Sequence, residues 1–160
     1  MTYAPHRVTK TGLPSGSLLE AYRRSDDFLD CYAVSSHAPV RLAAEEIVRF
    51  PGWAKALVAL RNLVTAPFGL SADGPPAEDK LGVFPVEAET AEEIIAGFDD
   101  RHLDFRVSIM ARDGCVTLAT WVSPHNIGGR LYLAAIMPFH IAIARNALAR
   151  VARLEPQRAD

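Results

Sequence analysis

The side chains of this sequence best suited to chemistry are few: five histidines (6, 37, 102, 125 and 140), two cysteines, and nineteen Asp and Glu. Along the alternating run 102–111, His102, Asp104, Arg106, Ser108 and Met110 point one way and Leu103, Phe105, Val107 and Ile109 the other. On a pocket wall, Arg106 would anchor a carboxylate, and Asp104 would act as a base if desolvation raised its pKa. The same pattern describes a solvated sheet face on which Asp and Arg pair across strands. His125, followed by Asn126, falls where a strand hands over to a helix, a junction that can present an imidazole at a cavity mouth or simply cap and pack. His140, after Pro138-Phe139, reaches either a ligand or a buried polar partner. Asp104, His125 and His140 are therefore the candidate proton-transfer groups. Arg106, Trp121, His125, Tyr132, Met137 and His140 are the candidate ligand contacts, each set against the alternative that it fills the core.

Other chemistries lack a signature. No His-Glu-x-x-His pair and no zinc-spaced cysteine pair occurs, so no metal is expected, although His102, Asp104 and His125 can meet in space. No Gly-x-Ser-x-Gly elbow supports covalent catalysis, and Gly128-Gly129 lacks the strand, spacing and lysine of a phosphate-cradling loop, so no cofactor is expected. Seventeen basic against nineteen acidic residues give a net charge of −2, which argues against nucleic acid as a partner. Residues 1–16 do not read as a secretory signal, and the apolar stretch 131–144 is shorter than a bilayer span and is interrupted by Pro138 and His140. A cytoplasmic protein without a membrane span is expected, with Cys31 and Cys115 as free thiols inside strands.

The elements that must position these groups follow from periodicity and punctuation. At 160 residues and 49% hydrophobic, the chain is expected to form one domain, residues 1–160, with residues 1–16 as an extended arm. A short helix over 17–25 precedes a strand over 30–36. A helix starting near Pro39 must stop before Pro51-Gly52, and Trp53, Leu57, Leu60 and Val64 mark a second, amphipathic helix. A loop over 65–80 leads to strands at 81–87, 93–98, 102–111 and 115–123, with Asp113-Gly114 as a hairpin turn and Pro85 marking an edge or a bulge. A last helix over 131–154, kinked at Pro138, is apolar nearly all round in its first half, which implies contact on more than one side. The order is α+β, with the final helix as the cover of a curved antiparallel sheet.

This order, with Pro51-Gly52-Trp53, Gly129-Arg130-Leu131-Tyr132 and Pro138-Phe139-His140, resembles the START-like (SRPBCC, helix-grip) superfamily. His102-Leu103-Asp104-Phe105-Arg106 and His125-Asn126 look like signature segments of an uncharacterised bacterial family within or close to that group. The resemblance runs from about Asp30 to Leu154 and implies a seven-stranded sheet, against the five strands named above, wrapped around the long C-terminal helix. It also implies a pocket between helix and sheet, used by different members for lipids, polyketides, steroids or hormones. Fold-level analogy does not choose among them. Three readings follow. The first is a binding module for an apolar small molecule, a carboxylate among the candidates, oriented by Arg106, His125 and Tyr132. The second is a cyclase, dehydratase or hydrolase using Asp104, His125 or His140. The third is a homodimeric scaffold with a filled core.

Overall fold

The computed structural model describes residues 7–69 and 74–154. Seven antiparallel strands form one curved sheet in the order β1-β2-β7-β6-β5-β4-β3. The strands are β1 (Thr9–Lys10), β2 (Phe28–Ser35), β3 (Lys80–Leu81), β4 (Phe84–Glu89), β5 (Glu93–Asp99), β6 (Leu103–Arg112) and β7 (Cys115–Pro124). Three helices accompany them: α1 (Val40–Val48), α2 (Gly52–Thr65) and α3 (Ile127–Val151), so the sheet grips a long C-terminal helix. The two strands beyond the five expected from sequence are two-residue pairings at the sheet's edges, β1 on β2 and β3 on β4. β1 lies inside the segment expected to be an extended arm. Residues 1–6 of that arm and 70–73 of the long loop fall outside the described residues.

Local chemistry sets the strand connections. Asp113 and Gly114 both adopt positive φ, 54° and 72°, the conformation a tight β6–β7 hairpin demands, and Arg112 pairs with Cys115 across it. The bulge of β4 lies between Val86 and Ala88, just past Pro85, whose missing N–H cannot donate to the ladder. Pro39 and Pro51 stand at the N-caps of α1 and α2. Asn126 caps α3 by accepting from the Gly129 amide at 2.9 Å, so Gly128 and Gly129 belong to the first helical turn rather than preceding the helix. Gly129 is glycine for a steric reason: a Cβ there would lie 2.3 Å from the His102 carbonyl oxygen.

The sheet is covered on both faces, and this corrects the expected two-sided pattern of β6. One face carries the cross-strand row Tyr32, Leu118, Ile109 and Ile94, which packs against Ala43, Ala44 and Ile47 of α1 and Ala144, Ala147, Leu148 and Val151 of α3. The other carries Cys31, Ala119, Ser108 and Ile95, and there Leu19 closes a second small core with Trp121. Leu19 comes from a 3-10 turn, Leu18–Tyr22, within the segment expected to form a short helix. The polar side of β6 is thus not a solvated face: Arg106, Ser108 and Met110 are all buried.

The cover is pinned by one carboxylate. Glu93, 3% exposed, accepts from the Ser17 hydroxyl at 2.6 Å, from the Leu18 amide at 2.8 Å and from the Ser108 hydroxyl. A buried carboxylate is tolerated because these donors replace its water.

α3 departs most from expectation. It runs unbroken through Pro138, and over 127–151 it is long and apolar enough to cross a membrane by length and composition, which the interrupted stretch 131–144 is not. Its C-terminal half is docked in the core, whereas in its first half Ile127, Leu131 and Phe139 are exposed. The second expected amphipathic helix is likewise bare: α2 buries only Ala54 and Thr65, and Trp53, Leu60, Leu63 and Val64 face solvent.

Replacing Glu93 by Ala should leave the Ser17 and Ser108 hydroxyls without their acceptor and lower unfolding free energy by about 2–3 kcal/mol. Denaturant unfolding measures the loss, and limited proteolysis should show faster cleavage within residues 7–26 than elsewhere.

Candidate functional site

The sheet-facing stripe of α3 is unevenly covered. Ala144, Ala147, Leu148 and Val151 are buried, but Leu133, Ile136, Met137, His140 and Ile141, on the same stripe one to three turns earlier, are only half-buried. Facing that side of the sheet, Phe105 and Val107 are half-buried too. Between the first half of α3 and the ends of β2 and β7 the surface recedes into an open groove of about 490 Å³, lined by Phe28, Leu133, Ala134 and Met137, with Asp26, Asp27 and Arg130 at its edge. Its walls are apolar and its rim is charged, the character of small-molecule sites.

His140 lies at the inner end of this stripe. Its Nε2 is 3.0 Å from Oδ2 of Asp30, a residue of β2 whose side chain is 5% exposed, and the Phe28 ring meets the imidazole edge-on at 6.2 Å between centroids. Asp30 accepts, so Nε2 carries a proton, and in the neutral imidazole Nδ1 is then the basic atom. An oriented imidazole beside a carboxylate has the arrangement of a general base and its positioning partner. The rim is marked by Tyr132, whose hydroxyl accepts from Nε of Arg61 on α2 at 2.7 Å while the guanidinium covers its ring at 5.4 Å.

Three of the residues singled out in the sequence, Tyr132, Met137 and His140, therefore share α3; Met137 lines the groove, and His140 meets the lining residue Phe28. Arg106 and Trp121 do not. Arg106 lies on the opposite face, 7% exposed, where it donates to Glu87 and Asp99, each at 2.8 Å, and covers the Tyr22 ring at 5.2 Å. Gly97 makes room for it, since a Cβ there would lie 2.9 Å from its Cδ. Trp121 donates to Asp27 at 2.8 Å and packs with Leu19 and Cys31. The position expected of Arg106, on a pocket wall with Asp104, is thus replaced by a satisfied ion-pair network outside the groove.

Asp104 and His125 do meet, at the ends of β6 and β7 rather than in the groove. His125 Nε2 donates to Oδ2 of Asp104 at 3.0 Å and Nδ1 approaches the Arg101 carbonyl at 3.3 Å, while Oδ1 of Asp104 is buried without a partner. Both ring nitrogens face acceptors, so the charged imidazolium is favoured: the Asp104 hydrogen bond, then the Arg101 carbonyl, raise the His125 pKa above its ordinary value. Beside it, His102 donates from Nε2 to the Phe68 carbonyl at 2.8 Å and accepts at Nδ1 from Asn126 at 3.1 Å, which fastens the helix start and the turn after α2 to the sheet. Among the described residues no group of three or more His, Cys, Asp or Glu is placed to hold a metal ion. Cys31 and Cys115 are free thiols, and burial pushes that of Cys31 up to about 12, which makes it an unreactive core residue.

Asp30, Phe28, Leu133 and Arg61 escaped sequence reasoning. For Asp30 a signal existed: it stands two residues before Tyr32 and four before Val34, in phase with side chains that belong to the core, so an inward carboxylate in need of a partner was readable.

Fold and groove define the class: an α+β helix-grip domain with a partly open space beneath its long helix. A family model, described as protein of unknown function (DUF2867), matches residues 23–147, and the chain belongs to that family. No curated protein and no solved structure matches the chain.

Two expectations follow for the histidines. His125 should titrate above the ordinary histidine pKa in an NMR titration. Because its folded-state pKa is raised, its stabilisation is complete below the unfolded pKa and is lost as pH rises through the folded one. Wild type should thus exceed His125→Gln in stability at mildly acid pH and approach it in alkali. His140→Ala should strip the buried Asp30 of its partner and cost about 2 kcal/mol in urea unfolding, whereas the double change Asp30→Leu with His140→Leu should recover most of that loss.

Proposed function

We propose that this protein binds an apolar small molecule in the groove between the first half of α3 and the sheet. The observation that carries the reading is the half-covered stripe: one helix face is fully buried over its last two turns and only partly over the preceding turns, where Leu133 and Met137 line the groove opposite the half-buried Phe28. Packed interiors do not leave large apolar side chains half-covered on both sides of an interface, and a ligand that filled the gap would remove that surface from water. Leu133 and Met137 would contact its apolar body. A polar or carboxylate end would point to the rim, where Arg130 and Tyr132 stand. The resemblance to the START-like superfamily supports the same location, and a relationship to that superfamily is part of the proposal.

A second reading, an enzyme of the cyclase, dehydratase or hydrolase kind, is favoured by one observation, the Asp30–His140 pair at the inner end of the groove. His140 would take a proton on Nδ1, with Asp30 as its positioning partner; Asp104 and His125 stand at the ends of β6 and β7, where Pro124 lines the groove.

Native mass spectrometry of gently purified protein, compared with the denatured sample, tests the binding reading. A co-purified apolar molecule, reduced at least about ten-fold in Met137→Arg with the fold intact by circular dichroism, is the expected outcome. A clean apo mass together with no thermal shift across fatty-acid, polyketide and sterol panels would overturn it.

A further inference from the structure

The two helices with the barest surfaces also share an unusual charge composition. Of the chain's seventeen basic and nineteen acidic residues, α2, the following 3-10 turn (Ala66–Phe68) and α3 carry five basic and no acidic ones: Lys55, Arg61, Arg130, Arg145 and Arg150. Arg145 and Arg150 turn onto the protein, to the Val8 carbonyl and to Glu46, which leaves Lys55, Arg61 and Arg130 on α2 and the first half of α3, while the rest of the chain has twelve basic against nineteen acidic residues. That side is strongly apolar. Leu60, Leu63, Val64 and Phe68 are 57%, 73%, 59% and 66% exposed, and Ile127 and Leu131 are 75% and 66% exposed. The two groups are neighbours: Arg61 bonds Tyr132, next to Leu131, and the Phe68 carbonyl bonds His102, which holds Asn126, next to Ile127.

We propose that this side of the molecule docks on an anionic lipid surface. Large apolar side chains, an exposed tryptophan and exclusively basic charges are what an interfacial helix presents to acidic headgroups. Charge also weighs against the main alternative, a second copy of the chain. A two-fold interface sets the same patch against itself, and neither α2 nor α3 holds a carboxylate to receive Lys55, while Arg130 already shares the groove edge with Asp26 and Asp27 of its own chain. Lipid headgroups supply the missing sign. The helices lie along the surface rather than through it, because the C-terminal half of α3 is committed to the core through Ala144, Ala147, Leu148 and Val151. Of the side chains the docking uses, Arg130 also stands at the edge of the groove.

The test is co-sedimentation of the full chain with vesicles of phosphatidylcholine alone and of phosphatidylcholine mixed with phosphatidylglycerol, at low and high salt. Tryptophan emission provides a second readout, since Trp53 is 45% exposed and Trp121 is 4% exposed. Binding to the mixed vesicles with a blue shift that disappears in Trp53→Phe is expected, together with a loss of about ten-fold at high salt or in Lys55→Glu with Arg130→Glu. Leu63→Asp should also abolish binding, and because α2 buries only Ala54 and Thr65 the sheet should stay folded. Equal affinity for neutral vesicles, or no binding to either, overturns the proposal. So does a mass of twice 17.4 kDa that Leu63→Asp restores to the monomer without any vesicle binding, which assigns the surface to a second copy.

Discussion

α3 is fastened at its two ends and not along its middle, and the groove depends on that constraint. At the C-terminal end, Arg150 reaches across to the end of α1. Its Nε donates to Glu46 Oε1 at 3.1 Å, and its Nη2 lies 3.0 Å from the Glu46 carbonyl and 2.9 Å from that of Arg49. These are carbonyls a helix end leaves without intrahelical donors, and a guanidinium is the side chain with enough donors to serve several at once. At the other end, Asn126 caps the helix while bonding His102, and Gly129 lets the first turn press against the strand end. Between the two fastenings His140 bonds Asp30 of β2 and Arg145 bonds the Val8 carbonyl beside β1, and it is the space on the N-terminal side of His140 that opens to solvent.

The second cover, on the far face of the sheet, explains why Arg106 and Ser108 of β6 are held by protein partners. Burying Arg106 and Glu93 in water-free surroundings would be costly for either alone. Each is instead surrounded by its complement: Glu87 and Asp99 for the guanidinium, the Ser17 and Ser108 hydroxyls and an amide for the carboxylate. His140 differs, since one nitrogen is tied to Asp30 and the other is oriented by that tie.

The sequence was most legible where a local rule decides the outcome. Asp113-Gly114 dictated the β6–β7 hairpin, Pro39 and Pro51 bounded helices, and Pro85 foretold the bulge in β4, because each of these residues restricts its own backbone. β1 and β3 were not legible: two-residue strands have no periodicity and exist only by pairing with a neighbour. The face of β6 was read correctly as polar but wrongly as uncovered, because its cover is a 3-10 turn more than seventy residues away along the chain, held by Ser17 and Glu93. For the same reason Asp30 went unnoticed, since a strand residue becomes a site only when a helix 110 residues later brings His140 to it.

Hydrophobic composition misleads most in α3. An all-round apolar helix normally signals burial on every side, yet only one stripe of this helix meets protein, and half of that stripe meets it loosely. Leaving such side chains in water forgoes roughly 1.5–3 kcal/mol of burial for each large one, so a soluble monomer has no stability reason to keep Ile127, Leu131 and Phe139 together on its surface. The inner stripe and the outer surface call for different partners by their shape. An open groove beside a half-buried, ion-paired histidine suits a small molecule, whereas exposed apolar side chains on helices that carry basic and no acidic residues suit an extended negative surface. Both demands are met by one helix because its ends, and not its middle, carry its attachment to the fold.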